Sequence, residues 1–137
     1  MAGSGRAFVS KNWEAPKVKN KHAKREPSKP DFNGFLPNGR HVVFEAKAIL
    51  KKSKSFPFSR IAKHQWEHLS DAHQSSAVSF IYLLNGDEKW VFPWAQILRD
   101  TGIRKSIPLT NDYGIFKKRI GETWLDTWVR LDEQGWT

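Results

Sequence analysis

Cysteine is absent from the 137 residues, methionine occurs once and tyrosine twice. Without thiols there can be no disulfide, no thiolate zinc site and no cysteine nucleophile, so carboxylates and histidines are the strong metal ligands left. An ion held by carboxylate oxygens is hard, of the magnesium or manganese kind. No apolar run approaches the roughly 18 residues that cross a bilayer, and the first residues lack the apolar stretch of a secretory signal. The expectation is an intracellular, cytoplasmic protein with no membrane partner. Acids are also scarce, 14 Asp and Glu against 23 Lys and Arg, which leaves a net charge of +9. A field of that sign on so short a chain draws polyanions by counterion release, and nucleic acid is the first partner to consider.

What the chain does have is aromatic bulk. Seven Trp and nine Phe within a 39% hydrophobic composition are ample for one packed domain, the number expected at this length. The charge is unevenly placed. Lys17, Lys19, Lys21, Lys24, Arg25 and Lys29 crowd one stretch against a single Glu26, and a second basic group runs from Lys47 through Lys51, Lys52, Lys54, Arg60 and Lys63. Acids gather near the end, at Glu122, Asp126, Asp132 and Glu133.

Residues 1–29, with Gly3, Gly5, Pro16 and Pro27 among many Lys, read as a basic, flexible arm. Inside it, Ala7, Phe8, Val9 and Trp13 are apolar enough for one short element docked on the core. Pro37-Asn38-Gly39 is a tight-turn signal between apolar flanks and predicts a β-hairpin from about Asp31 to Ala48. Ser59 is a good N-cap for a helix to about His73, with Ile61, Gln65, Trp66 and Leu69 at helical spacing. Ala77 to Leu84 reads as a buried strand, turned by Asn85-Gly86-Asp87 into the strand Lys89 to Phe92. Pro93-Trp94 opens a short helix to about Arg99, closed by Gly102. Ile107 to Leu109 is extended, and Thr123-x-x-Asp126 starts a C-terminal helix carrying Trp124, Leu125, Trp128 and Leu131.

Chemistry concentrates in the hairpin. Residues two apart in a strand share a face, so Glu45 and Lys47 project together. Antiparallel pairing about Pro37 to Gly39 brings Asp31 close to cross-strand reach of Glu45. Two carboxylates and one ammonium around a point can bind a hard divalent ion and suit phosphodiester hydrolysis, with Lys47 able to orient or deprotonate a water. Taken alone, Glu-x-Lys is as readily a salt-bridged pair on a solvated strand.

These residues carry a family likeness. Asp31-Phe-Asn-Gly, the strand Phe44-Glu-Ala-Lys, Ser55-Phe-Pro-Phe, Ile61 with His64-Gln65, and Arg104-Lys105-Ser106-Ile107 together resemble the RecU-type Holliday-junction resolvases of the PD-(D/E)xK nuclease superfamily. The likeness runs from about Pro30 to Trp128. It implies an α/β fold of restriction-endonuclease-like type, a small mixed β-sheet of three to five strands flanked by helices. It also implies magnesium-dependent paired nicking of four-way junctions by a homodimer, with manganese able to substitute. By the same resemblance Asp31 and Glu45 are metal ligands, the Ala46 carbonyl is a third contact, Lys47 is the catalytic lysine, and Gln65 holds a water or a phosphate oxygen. Helix capping or packing is the other reading of Gln65. The family also carries an acidic residue in an N-terminal helix near the metal, for which Glu14 is the candidate here. Its long N-terminal helix and projecting stalk have no evident counterpart, and the short chain looks like a phage-encoded form. The division expected is thus an arm over 1–29 and a nuclease domain over 30–137.

Other residues are weighed from their types. His64 and His68 stand one helical turn apart without a third ligand of metalloprotease type, which favours an exposed polar face, with phosphate contact open to His64. Ser55 lacks a nucleophile's His-Asp partners and is a candidate phosphate donor. Arg104 and Lys105, with the cations of the arm and Lys51, Lys52, Arg60 and Lys63, are candidate DNA contacts, a solvated loop being the alternative at Arg104 and Lys105. The strand Ala77 to Leu84 and the helix of Trp124 and Trp128 are candidate dimer surfaces. Two other functions stay open: a duplex-cutting restriction or repair nuclease of the same fold, and a non-catalytic basic DNA-binding module.

Overall fold

The computed structural model describes residues 8–11 and 30–137. Ala7, Trp13, Glu14, Lys17, Lys19, Lys21, Lys24, Arg25 and Lys29 lie outside the described residues. The architecture is a mixed five-stranded sheet with helices on its faces, together with a short two-stranded ribbon, the α/β arrangement expected. Chain order is β1 (Phe8–Lys11), β2 (Phe32–Phe35), β3 (His41–Ile49), β4 (Ser55–Pro57), α1 (Lys63–Gln74), β5 (Val78–Asn85), β6 (Glu88–Pro93), α2 (Trp94–Thr101), β7 (Ser106–Pro108) and α3 (Trp124–Glu133). Strands run β1-β2-β3-β5-β6 across the main sheet, and β4 pairs with β7. Among the described residues no helix is long and apolar enough to cross a membrane.

Turn chemistry sets the hairpin. Gly39 takes φ 86°, a left-handed conformation that a side chain disfavours, while Gly39 N–H donates to Leu36 O and Leu36 N–H to Arg40 O. The resulting register sets Phe32 opposite Phe44 and Phe35 opposite His41. β3 then pairs in parallel with β5, Phe44 beside Phe80, and the crossover between them carries α1, as a parallel connection requires. Residues 8–11, inside the expected arm, add an antiparallel edge strand to β2.

The two faces of β3 have different work. On one, Phe32, Phe44 and Phe80 form a stacked row with centroid spacings of 4.6 Å, and Trp124 and Trp128 of α3 cover it. The other face, holding Glu45 and Lys47, turns toward α1. Central burial on both faces explains why Val42, Val43, Phe44 and Glu45 are all buried in succession.

Three expectations are corrected. The helix does not begin at Ser59: Phe58–Arg60 is a separate 3-10 turn, because Phe58 N–H is drawn to Lys105 O at 3.0 Å, and α1 starts at Lys63 with Ala62 as N-cap. Pro93 ends β6 and caps α2 rather than opening it. One proposed dimer surface, β5, is interior, between β3 and β6; on the other, α3, Trp128 is 5% exposed and belongs to the core, while Val129 is exposed on the outer side of the helix. The aromatic surplus fills a sheet-to-helix layer. The capping box of α3 is as expected, Asp126 N–H donating to Thr123 Oγ1 and Thr123 N–H to Asp126 Oδ2.

Candidate active site

Asp31 immediately precedes β2 and continues its register toward Glu45. Each carboxylate is held from the opposite strand: Asp31 N–H donates to Glu45 Oε2 at 3.2 Å, and Ala46 N–H donates to Asp31 Oδ2 at 3.1 Å. Both carboxylates are therefore oriented by backbone hydrogen bonds across the hairpin. The second oxygen of Glu45, Oε1, lies 3.3 Å from His68 Nδ1 on α1.

Glu45 is 1% exposed, and burial together with the hydrogen bond and negative charge of Asp31 raises its pKa to about 7. On the same face, burial lowers the pKa of Lys47 against the pull of Asp31 and Glu45, with Arg60 adding to the decrease. The proximity expected of Asp31, Glu45 and Lys47 is thus found.

The donor set fits a hard divalent ion in kind: two anchored carboxylates, both oxygen donors. Among the described residues no third His, Asp or Glu joins them in a metal-holding cluster, so further oxygens would come from backbone, water or phosphate. Glu14, the acidic candidate for this position, lies outside the described residues.

The remaining candidates are distributed as follows. Gln65 is 9% exposed, and its Oε1 accepts the Ala62 N–H at 3.0 Å, so capping takes up the oxygen and leaves the Nε2 donor for any phosphate contact. His64 is exposed, its ring edge-on to His68. Lys51, Lys52, Arg60 and Lys63 are exposed. Arg60 donates to Ala48 O, and Lys52 pairs with Glu88 at 3.5 Å. Ser55 of β4 and Arg104 and Lys105, which lead into β7, line one cavity whose lining includes none of Asp31, Glu45 and Lys47.

Sequence reasoning missed His68 as a site residue by assigning it to a solvated helix face. A signal was present: His68 stands three residues after the buried Gln65, hence on the same side of α1.

The family model described as Recombination protein U matches residues 8–120. The Holliday junction resolvase RecU of several Staphylococcus aureus strains, JH9 and COL among them, is 35% identical over 74 residues. That stretch is 53% of this chain and 35% of each relative, so the match spans about a third of the relatives' length. Among solved structures, Archaeoglobus fulgidus Hjc, a Holliday junction resolvase from an archaeal hyperthermophile, superposes with a TM-score of 0.48 at 17% identity, covering 85% of this chain and 84% of that one. The family model takes in β1, the Asp31 and Glu45 pair, Lys47, and both strands of the ribbon, and the chain belongs to the recombination protein U (RecU) family.

Proposed function

We propose that the chain is a divalent-metal-dependent endodeoxyribonuclease that resolves Holliday junctions by paired nicks, acting inside the cell as a homodimer. The observation that carries this is the backbone anchoring of both carboxylates, Glu45 by the Asp31 N–H and Asp31 by the Ala46 N–H, with Lys47 on the same strand face, in a chain of this family and this charge. The names of its relatives support the four-way junction as substrate.

Asp31 and Glu45 would hold magnesium, with the Ala46 carbonyl as a third contact. When bound, such an ion offsets charge developing on the phosphoryl oxygens and makes a water acidic enough to attack at neutral pH. Lys47, whose pKa is lowered by burial, would accept a proton from the water as the neutral amine, or as the ammonium donate a hydrogen bond that orients the water toward phosphorus. The free Nε2 of Gln65 donates to a phosphate oxygen. Lys51, Lys52, Arg60 and Lys63, with the cations of residues 17–29, neutralise flanking phosphates. Two-fold symmetry suits a junction cut at two equivalent positions.

One incubation tests the proposal. A labelled four-way junction and its matching linear duplex are compared with magnesium and with chelator. Symmetric nicks in the junction alone are expected. Equal cutting of the duplex would identify a general nuclease, and binding without nicks at any metal concentration would leave only a DNA-binding module.

A further inference from the structure

Two motifs remain outside the metal site. Ser55 to Phe58 and Arg104 to Ile107 are far apart in sequence, yet β4 and β7 pair with Ser55 opposite Pro108, Phe56 opposite Ile107 and Pro57 opposite Ser106. The ribbon is anchored by Phe56 and Ile107, both fully buried, and extended by the hydrogen bond from Phe58 N–H to Lys105 O. Alternation along a strand turns the neighbours of those two anchors the other way. Ser55 and Ser106 of the ribbon, with Ser59, Thr101, Arg104 and Lys105 from the segments beside it, line a cavity of about 510 Å³.

Every one of these polar side chains can donate a hydrogen bond, two carry positive charge, and no carboxylate is among the lining residues. Arg104 is preset. Its guanidinium carbon lies 5.3 Å from the centroid of the Tyr113 ring, and its backbone N–H is held by Asp100 O at 2.8 Å. Its Nε is buried and has no hydrogen-bond partner. The Nε is closed to the cavity, so the cavity-lining part of the Arg104 side chain is what an anion would meet. The buried Asp100 carboxylate also has an oxygen without a partner, but Asp100 does not line the cavity.

The Phe58–Arg60 turn links this cavity to the carboxylates. Phe58 and Ser59 line the cavity, while Arg60 Nη2 donates to Ala48 O at 3.3 Å, one residue beyond Lys47. We propose that the cavity is a second phosphate subsite, binding a backbone phosphate of the DNA other than the scissile one; the assignment rests on the nuclease reading above. Arg104 supplies a fork for two phosphate oxygens, Lys105 a point charge and the serines neutral donors. The subsite sets the register of the strand on the protein, which the two-carboxylate site alone does not.

The test removes one phosphate charge at a time. Junctions carrying a single methylphosphonate at successive positions around the cut are titrated, with calcium in place of magnesium, against wild type, Lys105→Ala and Arg104→Lys, all checked by thermal melting. One position displaced from the cut should weaken wild-type binding about tenfold and Lys105→Ala by a clearly smaller factor, since Arg104 alone then meets that charge. Lys105→Ala should also lower the log–log salt slope by roughly 0.9. Arg104→Lys should weaken binding with the slope kept, because it loses the fork and not the charge. If each methylphosphonate affects variants and wild type by the same factor while the junction is still cut normally, the subsite is overturned and the nuclease reading stands. If wild type neither binds nor cuts the junction, the nuclease reading fails and the subsite with it.

Discussion

His68 Nδ1 lies 3.3 Å from Glu45 Oε1 while the other oxygen of the same carboxylate accepts the Asp31 N–H at 3.2 Å. Each oxygen of Glu45 is thus held by a different element, α1 on one side and the β2 end of the hairpin on the other. With Glu45 ionised, as metal binding requires, Nδ1 must be the protonated ring nitrogen, because a carboxylate can only accept.

This makes His68 a positioning residue whose effect should appear in metal affinity. His68→Ala is expected to weaken manganese binding by about 10- to 100-fold, the usual range for loss of a partner behind a ligand. Direct titration of the DNA-free protein measures it. His68→Asn, whose amide nitrogen can stand near the Nδ1 position, should recover most of the affinity, and His68→Gln should recover little. Equal behaviour of Asn and Gln would assign His68 to packing alone.

The raised pKa of Glu45 gives a pH-dependent stability of definite sign. A carboxyl whose folded pKa, about 7, exceeds its unfolded value favours the folded state fully only below the unfolded pKa, near 4.5. That contribution is lost as pH rises through 7. Metal-free Glu45→Gln should therefore match wild type near pH 4.5 and exceed it at pH 8 by on the order of 2 kcal/mol, several degrees in Tm. Magnesium should narrow the gap by stabilising wild type selectively. Nicking by Glu45→Gln should be abolished. A stability difference that does not change between pH 4.5 and 8 would contradict the carboxylate pairing.

The parts of this arrangement that were legible in the sequence are local ones. Gly39 marks the hairpin turn, and once the turn is placed the period of a strand delivers Asp31, Glu45 and Lys47 to one place. Thr123-x-x-Asp126 announces α3 by a bond between residues three apart. What was not legible depends on distant partners. The start of α1 is displaced from Ser59 because the Phe58 N–H is claimed by Lys105 O, and strands as short as β4 and β7 carry no period to read. His68 was misread because a polar helix face normally meets water; here it meets a buried carboxylate. Trp124 and Trp128 looked surplus to one core because the phenylalanine row of β2, β3 and β5 appears only when the strands are registered.

Away from the site, Arg130 ties α3 to the preceding loop. It donates to both oxygens of Glu122 at 3.0 Å and also to Ile115 O and Lys117 O. The Arg130 hydrogen bonds hold the Glu122 pKa down to about 2. A depressed pKa contributes stability above the unfolded value near 4.5, lost as pH falls toward 2. Glu122→Gln should cost about 1–3 kcal/mol at pH 7, measured by urea unfolding, with the cost disappearing near pH 2. Since Glu122 lies outside the site, kcat at a permissive temperature should hold. A cost that persists at pH 2 would show that shape rather than charge is at stake.

Paired cutting is testable by mixing subunits. If two copies each contribute one Asp31 and Glu45 pair to a four-way junction, a dimer with one Glu45→Gln subunit retains a single competent site. Co-refolded mixtures of untagged wild-type and tagged Glu45→Gln chains, purified through the tag so that mixed dimers are the only active species, should nick a cruciform plasmid once and accumulate open circles. Wild type should yield linear product, because both strands are cut within the lifetime of one complex. The nicked product should persist on prolonged incubation at limiting enzyme, since religation is absent and a second cut needs a fresh complex. The stoichiometry is checked by sedimentation of the junction-bound protein at micromolar concentration. A monomer on the junction, or mixed dimers that linearise the plasmid in one binding event, would show that a single Asp31 and Glu45 site serves both strands in turn.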